Sequence, residues 1–134
     1  MFRKMTSRLA LAGAALTIAA LPVSAAMPPQ GDRVDLAYYD SITRTGNDQL
    51  PTDPYCAEPS TLAADLGEAY GEDLVLSAKR DNGRQFDVWA SDAAGTWTVS
   101  YTRPDGISCV IGSGTGWDRG ESASARLEEV GLRR

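Results

Sequence analysis

Two cysteines, three tryptophans, a glycine–serine run and dispersed carboxylates are the residues of this 134-residue chain that could do chemistry; histidine is absent. That absence removes the usual general base near neutral pH and a common zinc ligand. A Ser-His-Asp or Cys-His hydrolase and a His-ligated metal site are therefore excluded. Cys56 and Cys109 lie far apart, without the C-x-x-C spacing of a redox pair, so in an oxidising compartment they are expected to form a disulfide. Lys79 is the one lysine beyond residue 26, and no serine motif accompanies it as a Ser-Lys dyad would require. No catalytic residue, cofactor or metal is assigned, and the chain is not expected to be an enzyme.

The run Gly112-Ser-Gly-Thr-Gly-Trp117 has the composition of a phosphate loop without its pattern. No lysine follows, and the glycines at 112, 114, 116 and 120 miss the dinucleotide spacing. It reads first as a strand exit or bulge. Its second reading is an insertion loop, with Ser113 and Gly114 entering a partner's cleft beside Trp117. Trp89 falls on the strand face opposite Phe86 and Val88. Packing under a neighbouring segment is the favoured reading there, with an exposed binding hot spot as the alternative. Glu68, Glu72 and Asp73, and separately Asp105, Asp118 and Glu121, read as solvated clusters, since nothing sets two of them across a cleft.

These residues need elements to hold them. Leu62, Leu66, Ala69 and Tyr70 make one apolar stripe at helical spacing over 59–70. Pro59 suits the first turn and Gly71 the stop. From Leu74 the period becomes two. Strands are expected over Leu74–Ala78, Phe86–Ser91, Thr96–Thr102 and Ile107–Ile111. The turns are Asp81-Asn82-Gly83-Arg84, a two-residue hairpin signal, and Arg103-Pro104-Asp105-Gly106. The expected fold is α+β: one helix on a four-stranded antiparallel meander with one disulfide. The threonine-rich face is expected to meet solvent. Leu62, Leu66, Tyr70, Val88, Val99, Ile107 and Ile111 are the candidate core.

Residues 1–26 have a basic start (Arg3, Lys4, Arg8), an apolar middle (Leu9 to Leu21) and small residues at Ser24-Ala25-Ala26, the layout of a bacterial secretory signal peptide. Residues 27–54 then read as an irregular leader with one anchoring patch, Val34 to Tyr39. Residues 55–118 form the domain, and 119–134 a polar tail with a short helix from Glu121 to Leu132. Periplasmic or secreted localisation follows, without stable membrane insertion after cleavage. The formal charge is −5; removing three basic residues leaves 10 Lys+Arg against 18 Asp+Glu, or −8. Such a surface repels phosphate backbones, so nucleic acid is not an expected partner.

Cys56 opening a helix that ends in Tyr70-Gly71-Glu72, the Asn82-Gly83 hairpin, Gly95-Thr-Trp-Thr98 and Arg103-Pro-Asp-Gly-Ile-Ser-Cys109 together resemble a group of short exported alphaproteobacterial proteins over residues 56 to about 117. That resemblance implies export but no biochemical activity. Gly112 to Gly116 is also similar to the Ser-Gly loop of small periplasmic lysozyme inhibitors. The expected function is thus a non-enzymatic binding or envelope-associated domain, with an unidentified protein or envelope component as partner. The alternative is a hydrolase inhibitor acting through Gly112–Gly116. Trp89, Ser113, Gly114 and Trp117 are the candidate binding residues.

Overall fold

Period-two alternation builds a five-stranded antiparallel sheet in the order β1-β5-β4-β3-β2. The structure, a computed structural model, describes residues 33–118, 120 and 122–132. The signal expected over 1–26 and the residue Glu121 lie outside the described residues. The four expected strands are β2 (Asp73–Lys79), β3 (Gln85–Ser91), β4 (Thr96–Thr102) and β5 (Ser108–Thr115). The count of four is corrected by β1, Cys56–Ala57, which pairs with Ser108 and Cys109 at the far edge. Two residues are too few to show a period, so β1 had no pattern to reveal it. Its first residue faces Cys109, and the Cys56–Cys109 disulfide bridges the two strands.

The helix expected over 59–70 is α2 (Pro59–Tyr70) and the short tail helix expected between Glu121 and Leu132 is α3 (Ala123–Glu129), while the anchoring patch of the leader adds a further short helix, α1 (Leu36–Asp40). In α2, Pro59 occupies the first turn and Gly71 ends the helix at φ 64, its N–H bonded to Gly67 O at 3.0 Å. Leu62 and Leu66 are buried, but Tyr70, a core candidate, is 56% exposed because the apolar stripe runs out at the helix stop. Ile107 and Ile111 are half-buried. α2 touches both edge strands, β1 and β2. Its twelve residues rise about 18 Å, which matches the roughly 19 Å spanned by five strands.

One sheet face carries the main apolar core: Phe86, Val88 and Ala90 of β3 with Trp97, Val99 and Tyr101 of β4. Leu36 and Tyr39 of α1, Leu127 and Ala123 of α3, and Val130 and Leu132 beyond it pack against this face. The leader and the tail, both expected to be mostly polar, thus contribute to the core of the domain between them. The leader is tied down further by polar side chains. Tyr101 Oη donates to Asp40 (2.8 Å), and the Arg103 guanidinium, itself buried, donates to the carbonyls of Tyr39 (3.1 Å) and Ile42 (2.7 Å). Ile42 in turn is buried against the disulfide.

Two irregularities change which side chains face which way. Leu74 pairs with Trp89 but Leu76 with Val88, so Val75 is an extra residue. The bulge turns Leu76 and Ala78 to the core and leaves Leu74 and Val75 exposed. In β5, Val110 pairs with Ser100 and Gly112 with Val99, which makes Ile111 the extra residue there. The β2–β3 hairpin closes over three residues, Asp81–Gly83, rather than two; Asn82 (φ 67) and Gly83 (φ 78) supply consecutive left-handed conformations.

The glycine–serine run does not form the projecting loop of the insertion reading. Gly112 to Thr115 lies within β5, paired to Val99 through Thr96 of β4. The glycines answer to packing. A Cβ on Gly114 would sit 2.8 Å from the Trp97 ring, and one on Gly112 would sit 2.3 Å from Val130 Cγ1. Bare backbone is what lets a core indole and the tail lie against this strand.

Candidate functional site

The second sheet face is built from hydroxyls. Thr96, Thr98, Ser100 and Thr102 alternate along β4, opposite Thr115, Ser113, Val110 and Ser108 of β5. The expectation that this face meets solvent is corrected at its centre, where Thr98 is 4% and Ser100 1% exposed. Trp89 supplies part of the cover. It lies half-buried on this face, as its alternation with Val88 predicts, and its Nε1 donates to Ser100 Oγ at 2.9 Å.

Beside this buried patch the hydroxyl face and α2 diverge to leave a cleft of about 630 Å³. Thr96, Thr98, Val110, Ser113, Gly114 and Thr115 line the sheet side. Asp65, Leu66, Ala69 and Tyr70 of α2 line the other, followed by Glu72 beyond the helix stop, with Pro54 and Tyr55 at one end. Gln49 fixes that end: its Oε1 accepts the Cys56 N–H at 2.8 Å and its Nε2 donates to Pro54 O. The Tyr55 carbonyl accepts the Val110 N–H at 2.8 Å, continuing the β1–β5 ladder by one bond. The Tyr55 hydroxyl donates to Asp65.

Glu72 is the unusual member. It read as part of a solvated cluster, yet it is only 3% exposed, and its Oε2 is buried without a hydrogen-bond partner. The cause is local. Gly71 turns the chain left-handed, the Glu72 N–H bonds back to Leu66 O (3.2 Å), and the side chain is held under the helix end rather than released to water. Glu68 and Asp73, its companions in the sequence cluster, are exposed. Thr96 Oγ1 is likewise buried and unpartnered. Buried polar atoms without partners are uncommon in folded proteins, and each calls for an explanation.

Of the candidate binding residues, the structure brings Ser113 and Gly114 into the cleft wall. Trp89 is on the same face without lining the cleft. Trp117 is buried in the main core, with Nε1 donating to Asp92 Oδ1 at 2.9 Å, and presents no ring to a partner. Sequence reasoning missed Tyr55, Asp65, Glu72 and Thr96. The one signal for Glu72 was its place directly after a helix-stopping glycine. Among the described residues no group of three or more His, Cys, Asp or Glu is placed to hold a metal ion, and no helix is long and apolar enough to cross a membrane.

The cleft's tyrosine has a consequence at high pH. Burial, then the bond to Asp65 and its charge, push the Tyr55 hydroxyl up to about 12. Burial also raises Tyr101 and Tyr39. Each folded-state value lies above the ordinary tyrosine value of about 10, so the folded state holds these protons more tightly than the unfolded chain. The associated stability is complete below about pH 10 and is lost as pH rises toward 12. Urea midpoints should therefore fall progressively across that window, and Tyr55→Phe should make the fall shallower. A midpoint unchanged between pH 9 and 11.5 would rule out the tyrosine linkage.

Compared with known protein families, characterised proteins and solved structures, the chain matches none.

Proposed function

We propose that this protein is an exported, non-enzymatic binding domain whose ligand seat is the cleft between α2 and the hydroxyl face of the sheet. The observation that carries the reading is the Glu72 carboxylate, buried in the cleft wall with one oxygen unpartnered. Removing a carboxylate from water without a donor is costly, and proteins keep such arrangements where a site needs them. The volume lies within the range of small-ligand pockets, and the mixture of apolar wall with a few polar groups is typical of them. The Cys56–Cys109 disulfide is compatible with an oxidising compartment, which supports the exported assignment. With no histidine in the chain, acid–base catalysis near neutrality lacks its commonest agent.

The cleft also sets limits on what enters. The strongly acidic chain and the two carboxylates at the wall disfavour nucleic acid and anionic lipid. A small ligand, or a side chain projecting from an envelope component, fits the dimensions.

An NMR fragment screen on the oxidised protein tests the site. Shifts are expected to cluster on Tyr55, Leu66, Thr96 and Ser113, and to disappear in Ala69→Trp, which fills the cleft from an exposed helix position. Shifts clustering around Trp89 and the β2 edge, or insensitive to Ala69→Trp, would move the site elsewhere. Turnover of a screened compound would end the non-enzymatic reading.

A further inference from the structure

The cleft holds two carboxylates and no lysine or arginine in its lining. They lie on one side of it, Asp65 within α2 and Glu72 just past its end, seven residues apart in sequence. Between them the wall is apolar, supplied by Leu66, Ala69 and Tyr70. Across from them stand the hydroxyl-bearing residues Thr96 and Ser113, and Thr96 Oγ1 has no partner of its own.

Each part of this pattern narrows the ligand. A divalent cation needs several oxygens within about 2.6 Å of one point, and among the described residues no three acidic, Cys or His side chains are so grouped. An anion meets two like charges. A neutral apolar compound would leave the Glu72 carboxylate buried and unpaired. What fits is positive charge at two points on a flexible apolar chain. Resting on the reading of this cleft as the ligand seat, we propose that it takes a linear aliphatic polyamine. One terminal ammonium pairs with Glu72, the methylene chain lies along Leu66, Ala69 and Tyr70, and a second ammonium reaches Asp65. Primary ammonium groups bring three donors each, enough for the Glu72 carboxylate and the Thr96 hydroxyl together. Asp65 already accepts the Tyr55 hydroxyl, so it is the weaker anchor; Glu72 is the stronger.

Calorimetric titration of the full oxidised protein with spermidine tests this, alongside 1,8-octanediol as an uncharged chain of comparable length. Spermidine is expected to bind, with affinity falling as salt is raised. Glu72→Gln should weaken it about tenfold to a hundredfold, the range for losing a hydrogen bond to a charged group, and Asp65→Asn less. Glu72→Gln removes a buried charge, so its melting temperature should equal or exceed that of the parent, which separates lost binding from lost folding. Octanediol binding in the cleft as tightly as spermidine, with Glu72→Gln indifferent, would overturn the polyamine and leave the cleft standing. Spermidine binding that shifts no resonance of Tyr55, Leu66 or Thr96 would overturn both.

Discussion

Replacing Cys56 and Cys109 together by alanine is expected to lower the free energy of unfolding by about 4 kcal/mol. The two are 53 residues apart in sequence, and closing a loop of that length removes this much chain entropy from the unfolded state on the usual model. Small domains have only about 5–15 kcal/mol in total, so the variant should sit near the edge of folding at 37 °C. The effect should concentrate where the bridge is. Cys56 is half of a two-residue strand, and Ile42 is buried against the sulfurs. Loss of the bridge should therefore release β1 and the leader first, seen as amide exchange rising at Cys56, Ala57 and Ile42 before the β3–β4 pair. Urea midpoints measured with and without reductant check the magnitude; coincident curves would show that the bridge contributes nothing to stability.

The second large effect is expected at Tyr101. Its ring is fully buried and stacks on Phe86 with centroids 5.2 Å apart, while its hydroxyl donates to Asp40 and accepts from Arg84 Nε at 2.9 Å. Tyr101→Ala removes the ring and opens a cavity in the core beside Phe86, a change that costs about 3–5 kcal/mol for buried aromatics. Tyr101→Phe keeps the ring and deletes only the hydroxyl, for about 1–2 kcal/mol. The pair separates two roles, since the ring belongs to the sheet and the hydroxyl to the attachment of α1. Tyr101→Phe should lose part of its effect when Asp40→Ala is already present, because the two groups share one bond, while the bond from Arg84 Nε accounts for the remainder. Full additivity in that cycle would show that the hydroxyl does not hold the leader.

These two places in the fold also mark what could be read from the sequence. Cys56 and Cys109 paired as expected, since two cysteines allow a single pairing within the chain. Strands β2 to β5 were visible because alternation and turn signals mark five to seven residues of each, and helix α2 because one apolar stripe runs from Leu62 to Tyr70. The side of the sheet that carried the solvent could not be read. Both faces of β3 hold an aromatic, Phe86 on one and Trp89 on the other, and a row of threonines in β4 looks alike whether wet or covered. The bulges at Val75 and Ile111 are matters of register between strands, which no single strand's pattern reports. The tie between Asp40 and Tyr101 spans 61 positions, so neither residue's local surroundings point to the other. The site was least visible where it matters most. Glu72 has the neighbours of a surface glutamate, and only the left-handed turn at Gly71 carries it inward. Gly112 and Gly114 read as a strand exit, bulge or insertion loop, whereas they are small to admit Val130 and Trp97.

Trp97 sits with its ring close to the bare strand backbone at Gly114, and the Arg126 guanidinium lies 5.0 Å from its centroid. Arg126 belongs to α3, so the last helix of the described chain places a cation over a core fluorophore. Docking and release of that helix is thereby written into the emission of a native indole, and the protein carries its own optical gauge of whether its C-terminal segment is in place.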